Sequence, residues 1–314
     1  MRLPYFPGCA LRTTASNFET ATLAAAKALD VDLIELLRWN CCGTVHSLVN
    51  DNLMRQLAPM RNFIRVQEMN RQGLLHDEYR LLTFCSICYN TLTRANAFVK
   101  NDGKVLETLN LIMDREETYA SDVHILHFFD LIREIGLEKI RTKVIQPLKG
   151  LKIAPYYGCL LLRPRDVAID NPEHPTIFED LLEALDVEVI DNPYKAQCCG
   201  SYHTVQNTDL VAQLAHQILS FVEINGAEAV AVSCPLCAFN LDQRQELIRR
   251  RYRAFNPIPV FYFSQLMALA FGLTAEVCGF HQHYVDPRPL LEQKQLLKAG
   301  EKMITKNDYE DGRT

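Results

Sequence analysis

The chain has 314 residues, 48% hydrophobic and 23% charged, enough to fill the core of one large domain or two ordinary ones. Its formal net charge of -5 and pI near 6.0 leave no basic surface of the kind that nucleic acid or an anionic membrane needs, which argues against nucleic-acid binding. Cys9 and Arg12 interrupt any apolar run at the N-terminus, and residues 266–273 are too few to span a bilayer, so a cytoplasmic protein without a transmembrane segment is expected. In that reducing compartment eleven cysteines are poorly explained as a disulfide framework, which leaves metal binding or redox chemistry.

In chain order, a short apolar run over residues 3–6 predicts a strand ending at Gly8-Cys9. An alanine-rich periodic stretch predicts a helix over 16–29, and the β-branched run 31–37 a second strand before Asn40-Cys41-Cys42-Gly43. A helix follows over 53–70, then a strand over 80–84 that delivers Cys85 and Cys88 to the start of another helix. Between 135 and 150, Gly136, mixed charges and Pro147 separate two apolar runs in the manner of an interdomain connection. The series then returns: strand 151–157 ending at Gly158-Cys159, helix 175–185, strand 187–190, Gln197-Cys198-Cys199-Gly200, helix 209–224, and strand 229–232 before Cys234 and Cys237. Runs 260–263 and 266–273 are expected in the core or against another polypeptide of a complex, and the polar tail 291–314 is expected to form a fraying helix.

The two series are one duplicated unit, offset by 150 residues at Cys9/Cys159, 157 at Cys41/Cys198 and 149 at Cys85/Cys234. Domains are therefore expected at 1–146 and 147–290, followed by the tail 291–314. Strands alternating with helices predict an α/β fold of two parallel units side by side. Loops at the C-terminal ends of parallel strands gather at one edge, and every cysteine element sits on such a loop.

A Cys-x-x-Cys pair alone reads as half a zinc site or a thioredoxin-like dithiol. The adjacent pairs Cys41-Cys42 and Cys198-Cys199 are more informative. Neighbouring residues in extended backbone point opposite ways, so they do not easily chelate one small ion, yet they reach two metals of a polynuclear cluster. The glycines that follow, Gly43 and Gly200, let the backbone bend close to such a group. Five cysteines per copy exceed the usual four of a cubane, which implies a non-standard cluster or one cysteine reserved for chemistry. One iron-sulfur cluster plus zinc is the alternative. Cys278 lies outside the pattern and reads as a buried small hydrophobe.

The order Cys, Cys-Cys-Gly, Cys-x-x-Cys, occurring twice, resembles the cysteine-rich CCG domain found in the B subunits of heterodisulfide reductases. The resemblance implies two Rossmann-like halves related by a pseudo-twofold axis, with two clusters facing each other across a cleft. It implies one non-cubane 4Fe-4S cluster on Cys9, Cys41, Cys42, Cys85 and Cys88, and another on Cys159, Cys198, Cys199, Cys234 and Cys237. It also implies two partners within one complex, a ferredoxin-like C component and a flavoprotein A component, and a small disulfide or thiol as substrate. His46 and His203, each four residues past a cysteine pair, are candidate proton donors, and Arg163, Arg165 and Lys195 candidate binders of an anionic substrate group. The spacing from Gly43 to Cys85 holds 41 residues against 33 between Gly200 and Cys234, and the excess is expected to lengthen helix 53–70 and its exit at Gln72-Gly73. The expected activity is disulfide reduction or formation inside a complex. The competing expectations are an iron-sulfur electron-transfer component of a flavin- or quinone-linked hydroxy-acid oxidising complex, and a zinc-stabilised protein without a redox role.

Overall fold

A computed structural model describes residues 1–43, 53–75 and 79–297. Each half is built on one four-stranded parallel sheet. The first contains β1 (Arg2–Phe6), β2 (Asp32–Glu35), β3 (Arg80–Thr83) and β4 (His124–His127) in the order β2-β1-β3-β4. The second contains β5 (Lys152–Tyr156), β6 (Glu188–Val189), β7 (Ala229–Val232) and β8 (Val260–Tyr262) in the order β6-β5-β7-β8. Registers match as well: Phe6 sits beside Thr83 in one sheet, and its equivalent Tyr156 beside Val232 in the other. The central strands are continuous apolar runs, all four residues of β7 being buried, as a parallel strand covered on both faces requires. The α/β architecture of two Rossmann-like parallel halves is therefore present.

The helices largely follow the sequence pattern, and the departures are local. The edge strands shrink to Asp32–Glu35 and Glu188–Val189, each pairing on one side only. β4 has no counterpart among the predicted elements, because a four-residue strand that begins and ends in histidine carries no periodic signal. The connection at 135–150 contains a helix, Leu137–Lys143. The eight extra first-half residues do not lengthen a helix: Leu57–Arg71 has 15 residues and its counterpart Thr208–Ile224 has 17. The excess falls outside that helix, in 44–56 and 72–79, of which 44–52 and 76–78 lie outside the described residues. In the tail, a helix spans Arg288–Gln293, Lys294 Nζ donates to Gly150 O at 2.7 Å and Gln146 Nε2 to Leu296 O at 2.7 Å, while residues 298–314 lie outside the described ones.

Aromatic side chains from both halves join the two sheets into one core. Phe18 of helix Ser16–Ala28 stacks on Tyr262 at 4.3 Å between centroids, and Phe263 meets Phe18, Phe128 and Phe129 at 5.5, 5.5 and 4.9 Å. Phe129 in turn lies 4.9 Å from Phe178. Run 260–263 and residues 266–271 of the second run are thus core, one of the two readings expected for them. Among the described residues no helix is long and apolar enough to cross a membrane.

His127, fully buried in this core, is held neutral: Nε2 donates to Phe84 O at 2.9 Å and Nδ1 accepts from Phe129 N at 3.3 Å. Burial pushes its pKa down from 6.5 to about 3. The unfolded chain therefore binds a proton below pH 6.5 that the native protein refuses, so this contribution to stability is complete above pH 6.5 and is lost on acidification towards pH 3, at about 1.4 kcal/mol per unit. Denaturant titrations between pH 7 and 5 are expected to show a shallower decline in His127→Gln than in the parent; equal slopes would show that His127 is not the group responsible.

Candidate functional site

The order β2-β1-β3 reverses direction at β1, and β6-β5-β7 reverses at β5, so each half has a topological switch point where crevices open outside the carboxyl ends of the strands. Every repeated cysteine is delivered there. Cys9 and Cys159 follow β1 and β5, and the adjacent pairs follow β2 and β6. Cys85 and Cys234 are extended N-cap residues of the helices Ser86–Asn101 and Pro235–Asp242, with Cys88 and Cys237 in the first turn. The positive ends of those helices act in favour of thiolate, but the bonds with Cys42 and Cys199, together with burial, push Cys88 and Cys237 up.

The pair loops are anchored by buried polar groups. In the first half Asn40 N donates to Asn62 Oδ1 at 3.0 Å and Asn62 Nδ2 returns to Asn40 O at 3.0 Å, fixing the cysteine pair to helix Leu57–Arg71. In the second half Tyr156 Oη donates to Gln197 O at 2.6 Å, and Tyr157 N and Gly158 N both donate to Lys195 O at 2.9 Å.

Burial then repeats between the sets. Cys42 and Cys199 are each 2% exposed, whereas their neighbours Cys41 and Cys198 are open to solvent or half-buried, so each pair does face two ways. The Cys-x-x-Cys residues are buried, and Cys9 and Cys159 lie at the rim. Sγ of Cys42 lies 3.6 Å from Sγ of Cys88, and Sγ of Cys199 lies 3.6 Å from Sγ of Cys237. Gly8 and Gly158 adopt φ of +72° and +69°, and a Cβ at either would sit 3.1 or 3.2 Å from Cys88 Sγ or Cys237 Sγ. Only glycine leaves that approach open.

Shared hydrogen bonds polarise the thiols. A bond with Cys159 and the Gly200 N–H, 3.3 Å from its sulfur, pull Cys198 down to about 5, while Cys159 is pushed up by the same partner. Cys9 is likewise pushed up by its bond with Cys41. Cys85 is pulled down by bonds from Cys234 and Cys88. The Cys85–Cys234 contact joins equivalent positions of the two halves, and beside it Ser86 N donates to Ser233 O at 3.2 Å with the two hydroxyls 2.8 Å apart. The two sets therefore meet at the pseudo-axis. A cavity of about 370 Å³ opens beside the first set, lined by Cys9, Cys42, Cys85 and Cys88 on one side and by Leu236 and Phe239 of the second half on the other. Among the described residues no three His, Cys, Asp or Glu side chains converge in the manner of a single-ion site.

The remaining candidates are dispersed. His46 lies outside the described residues. His203 is exposed on the turn Ser201–His203, and Arg163 and Arg165 are exposed beyond Cys159. Lys195 is engaged elsewhere, its Nζ 2.6 Å from Glu179 Oε1. Cys278 is fully buried, its Sγ 3.7 Å from Gln265 O. Sequence reasoning passed over Asn62, Asn90, Thr204, Phe239 and Asn240. For Asn90 and Asn240 a signal existed, since an asparagine follows the last cysteine of each half by two or three residues.

A family model described as a cysteine-rich domain, CCG, matches residues 3–93 and 153–242, one copy per half. The chain is 30% identical over 289 residues to an 8-methylmenaquinol:fumarate reductase membrane anchor subunit of Wolinella succinogenes, covering 91% of this chain and 98% of that one. It is 27% identical to the B subunit of a ferredoxin/F(420)H(2)-dependent CoB-CoM heterodisulfide reductase of Methanosarcina acetivorans, and 28% to that of a ferredoxin:CoB-CoM heterodisulfide reductase of Methanosarcina mazei, each covering 95% of this chain and 99% of the other. Among solved structures, a hypothetical protein from Helicobacter pylori superposes with a TM-score of 0.70 at 11% identity, over 90% of this chain and 51% of that one, a likeness of fold alone. With the family pattern matched in both halves, the same cysteines gathered at both switch points and full-length relatives on either side, the chain belongs to the CCG cysteine-rich domain family and is a relative of the B subunits of heterodisulfide reductases.

Proposed function

We propose that each five-cysteine set holds one iron-sulfur cluster, of the non-cubane 4Fe-4S kind that the family resemblance implies. In this reading the chain is the catalytic polypeptide of a heterodisulfide reductase-like complex, reducing or forming a small disulfide. The observation that carries it is the donor set: two identical series of five thiols, each with one adjacent pair facing two ways and a glycine that lets a sulfur come close. Thiols strung along a crevice suit a group with several attachment points better than one tetrahedral ion. Once bound, such clusters supply single electrons and iron that accepts sulfur.

The chain's own residues account for the rest. Reducing a disulfide takes two electrons and two protons, and two equivalent sets meeting at Cys85 and Cys234 match that electron count. Leu11, Ile87, Leu236 and Phe239 give the cavity an apolar wall, which strengthens electrostatic interactions beside it. His203 is proposed to supply protons from the rim and Arg163 and Arg165 to draw in an anionic substrate group, while Lys195 positions its loop through Glu179. The proposed domains are 1–146 and 147–290 with the tail 291–314. Proposed partners are a ferredoxin-like C component and a flavoprotein A component of the same complex, in the cytoplasm.

One finding favours a second reading. The fumarate reductase relative supports an electron-transfer role in a quinone-linked complex that never touches a disulfide. Protein purified without oxygen is expected to be coloured and to carry iron and acid-labile sulfide in equal amounts with little zinc. Assays of the reconstituted complex against disulfides and against quinol analogues then separate the readings. A colourless protein, or one holding only zinc, ends both.

A further inference from the structure

Asp242 and His283 form a buried acid–base pair outside both cysteine sets. Their side chains are 7% and 4% exposed, with His283 Nδ1 3.6 Å from Asp242 Oδ2. Asp242 is fixed by Tyr284 N and Val285 N, which donate to its oxygens at 2.9 and 2.8 Å. At the other ring nitrogen, Nε2, the partners suit both protonation states. Asn17 Oδ1 accepts from Phe18 N at 3.0 Å, so Asn17 Nδ2 is the end that faces Nε2, at 3.4 Å. Gln265 presents its own Nε2 at 2.9 Å and its Oε1 at 3.1 Å. A bare ring nitrogen thus has amide donors and a protonated one has an amide oxygen, so the imidazole gains or loses a proton in place.

The pair lies beside the cysteine sites. Asp242 follows Cys237 by five residues on helix Pro235–Asp242, about 7.5 Å of helix rise. Asp242, His283 and Tyr262 line a polar cavity of about 70 Å³, with room for about two water molecules. It adjoins the cavity of the first cysteine set, and Thr14, Pro235 and Phe239 line both. The ring of Tyr262 is 6.3 Å from that of His283, and its hydroxyl is pushed up by burial and by the charges of Cys234, Asp242, Cys85 and Cys237 together. Charge on the sulfurs of both sets is therefore felt where the pair stands. The other ionisable groups around His283 are His281 and Asp286 of its own segment, with Arg288 beside them. Helices Ser16–Ala28 and Phe263–Ala270 present the uncharged Asn17 and Gln265, with Cys278 behind the latter.

A site that takes up an electron becomes more negative, and a unit charge about 10 Å away in a partly buried setting raises the proton affinity of an imidazole roughly tenfold. Resting on the reading of the cysteines as cluster ligands, we infer that the Asp242–His283 pair takes up a proton when a neighbouring cysteine site is reduced. The electron comes from the reductant and the proton from solvent, and imidazole becomes imidazolium beside the Asp242 carboxylate. Disulfide reduction consumes two protons, and the pair holds one of them next to the cavity.

The test is a potentiometric titration of the whole iron-loaded chain at about pH 5.5 and about pH 8.5, on either side of the imidazole range, followed by visible absorption and electron paramagnetic resonance. At a fixed potential the ratio of reduced to oxidised form in one step is expected to fall about tenfold from the lower pH to the higher, about 59 mV for one electron. In His283→Gln, which cannot titrate, that ratio should change less than about twofold, with the iron content unchanged. Asp242→Asn removes the carboxylate that favours imidazolium and is expected to shrink the dependence as well. It decides the matter where the glutamine variant fails to load iron. His281→Gln should keep the parent's dependence. A pair that serves only to clasp the two halves leaves the pH dependence of the iron-loaded variants untouched, which overturns the inference. So does a parent with the same ratio at both pH values, or a dependence lost in His281→Gln and kept in His283→Gln. Each of these leaves the cluster reading intact, whereas an iron-free parent protein overturns the cluster reading and the inference with it.

Discussion

Cys42→Ser and Cys199→Ser are each expected to reduce iron and acid-labile sulfide to about half of the parent's and to lower disulfide turnover at least about a hundredfold. Both thiols are 2% exposed and 3.6 Å from the second cysteine of their Cys-x-x-Cys pair, so each is the inward member of its adjacent pair. Serine at these positions keeps the volume but replaces a soft sulfur by a hard hydroxyl, a poor ligand for iron at neutral pH. Because the scheme needs both sets at once, the double variant should be no slower than either single one: groups that act as a unit lose their function at the first deletion. Cys278→Ser is the control, since that thiol lies outside both sets, and full iron and full turnover are expected. Full turnover in either Cys42→Ser or Cys199→Ser would remove the two-site mechanism, whatever the iron content.

The duplication is legible in the sequence because cysteine is rare and its spacing is stiff. The repeated elements also place every thiol at a strand end, which is where β1, β2, β3, β5, β6 and β7 deliver them. Three things are not legible. β4 escapes because two apolar residues between histidines show no period. Spacing alone puts the extra first-half residues into a helix, yet helix Leu57–Arg71 is no longer than Thr208–Ile224, since a helix extended by two turns must find new apolar partners. The Cys85–Cys234 contact is the deepest omission. It depends on helix Ser16–Ala28 packing against helix Phe263–Ala270 across nearly the whole chain, and no local pattern encodes that. The polar neighbours Asn90 and Asn240 escape for a related reason: an asparagine on a helix has many ordinary uses, and only its partners reveal which one it has.

Phe263→Ala is expected to cost about 3–5 kcal/mol and to lower the melting temperature by roughly 6–10 °C. Phe263 is fully buried at the first position of its helix, and three of its ring partners, Phe18, Phe128 and Phe129, belong to the other half. Truncation leaves a cavity that neither sheet can close alone, because the rings around it are held from both sides. The consequence reaches the site, since the same ring cluster includes Phe84, whose neighbour is Cys85 at the pseudo-axis. The parent is therefore expected to unfold in a single transition in calorimetry, with the halves sharing one core. The alanine variant should lower that transition for both halves and weaken iron retention in both sets together. Two resolved transitions, with only the second-half one displaced, would show that the halves fold separately and that their meeting at Cys85 and Cys234 is a docking of finished domains.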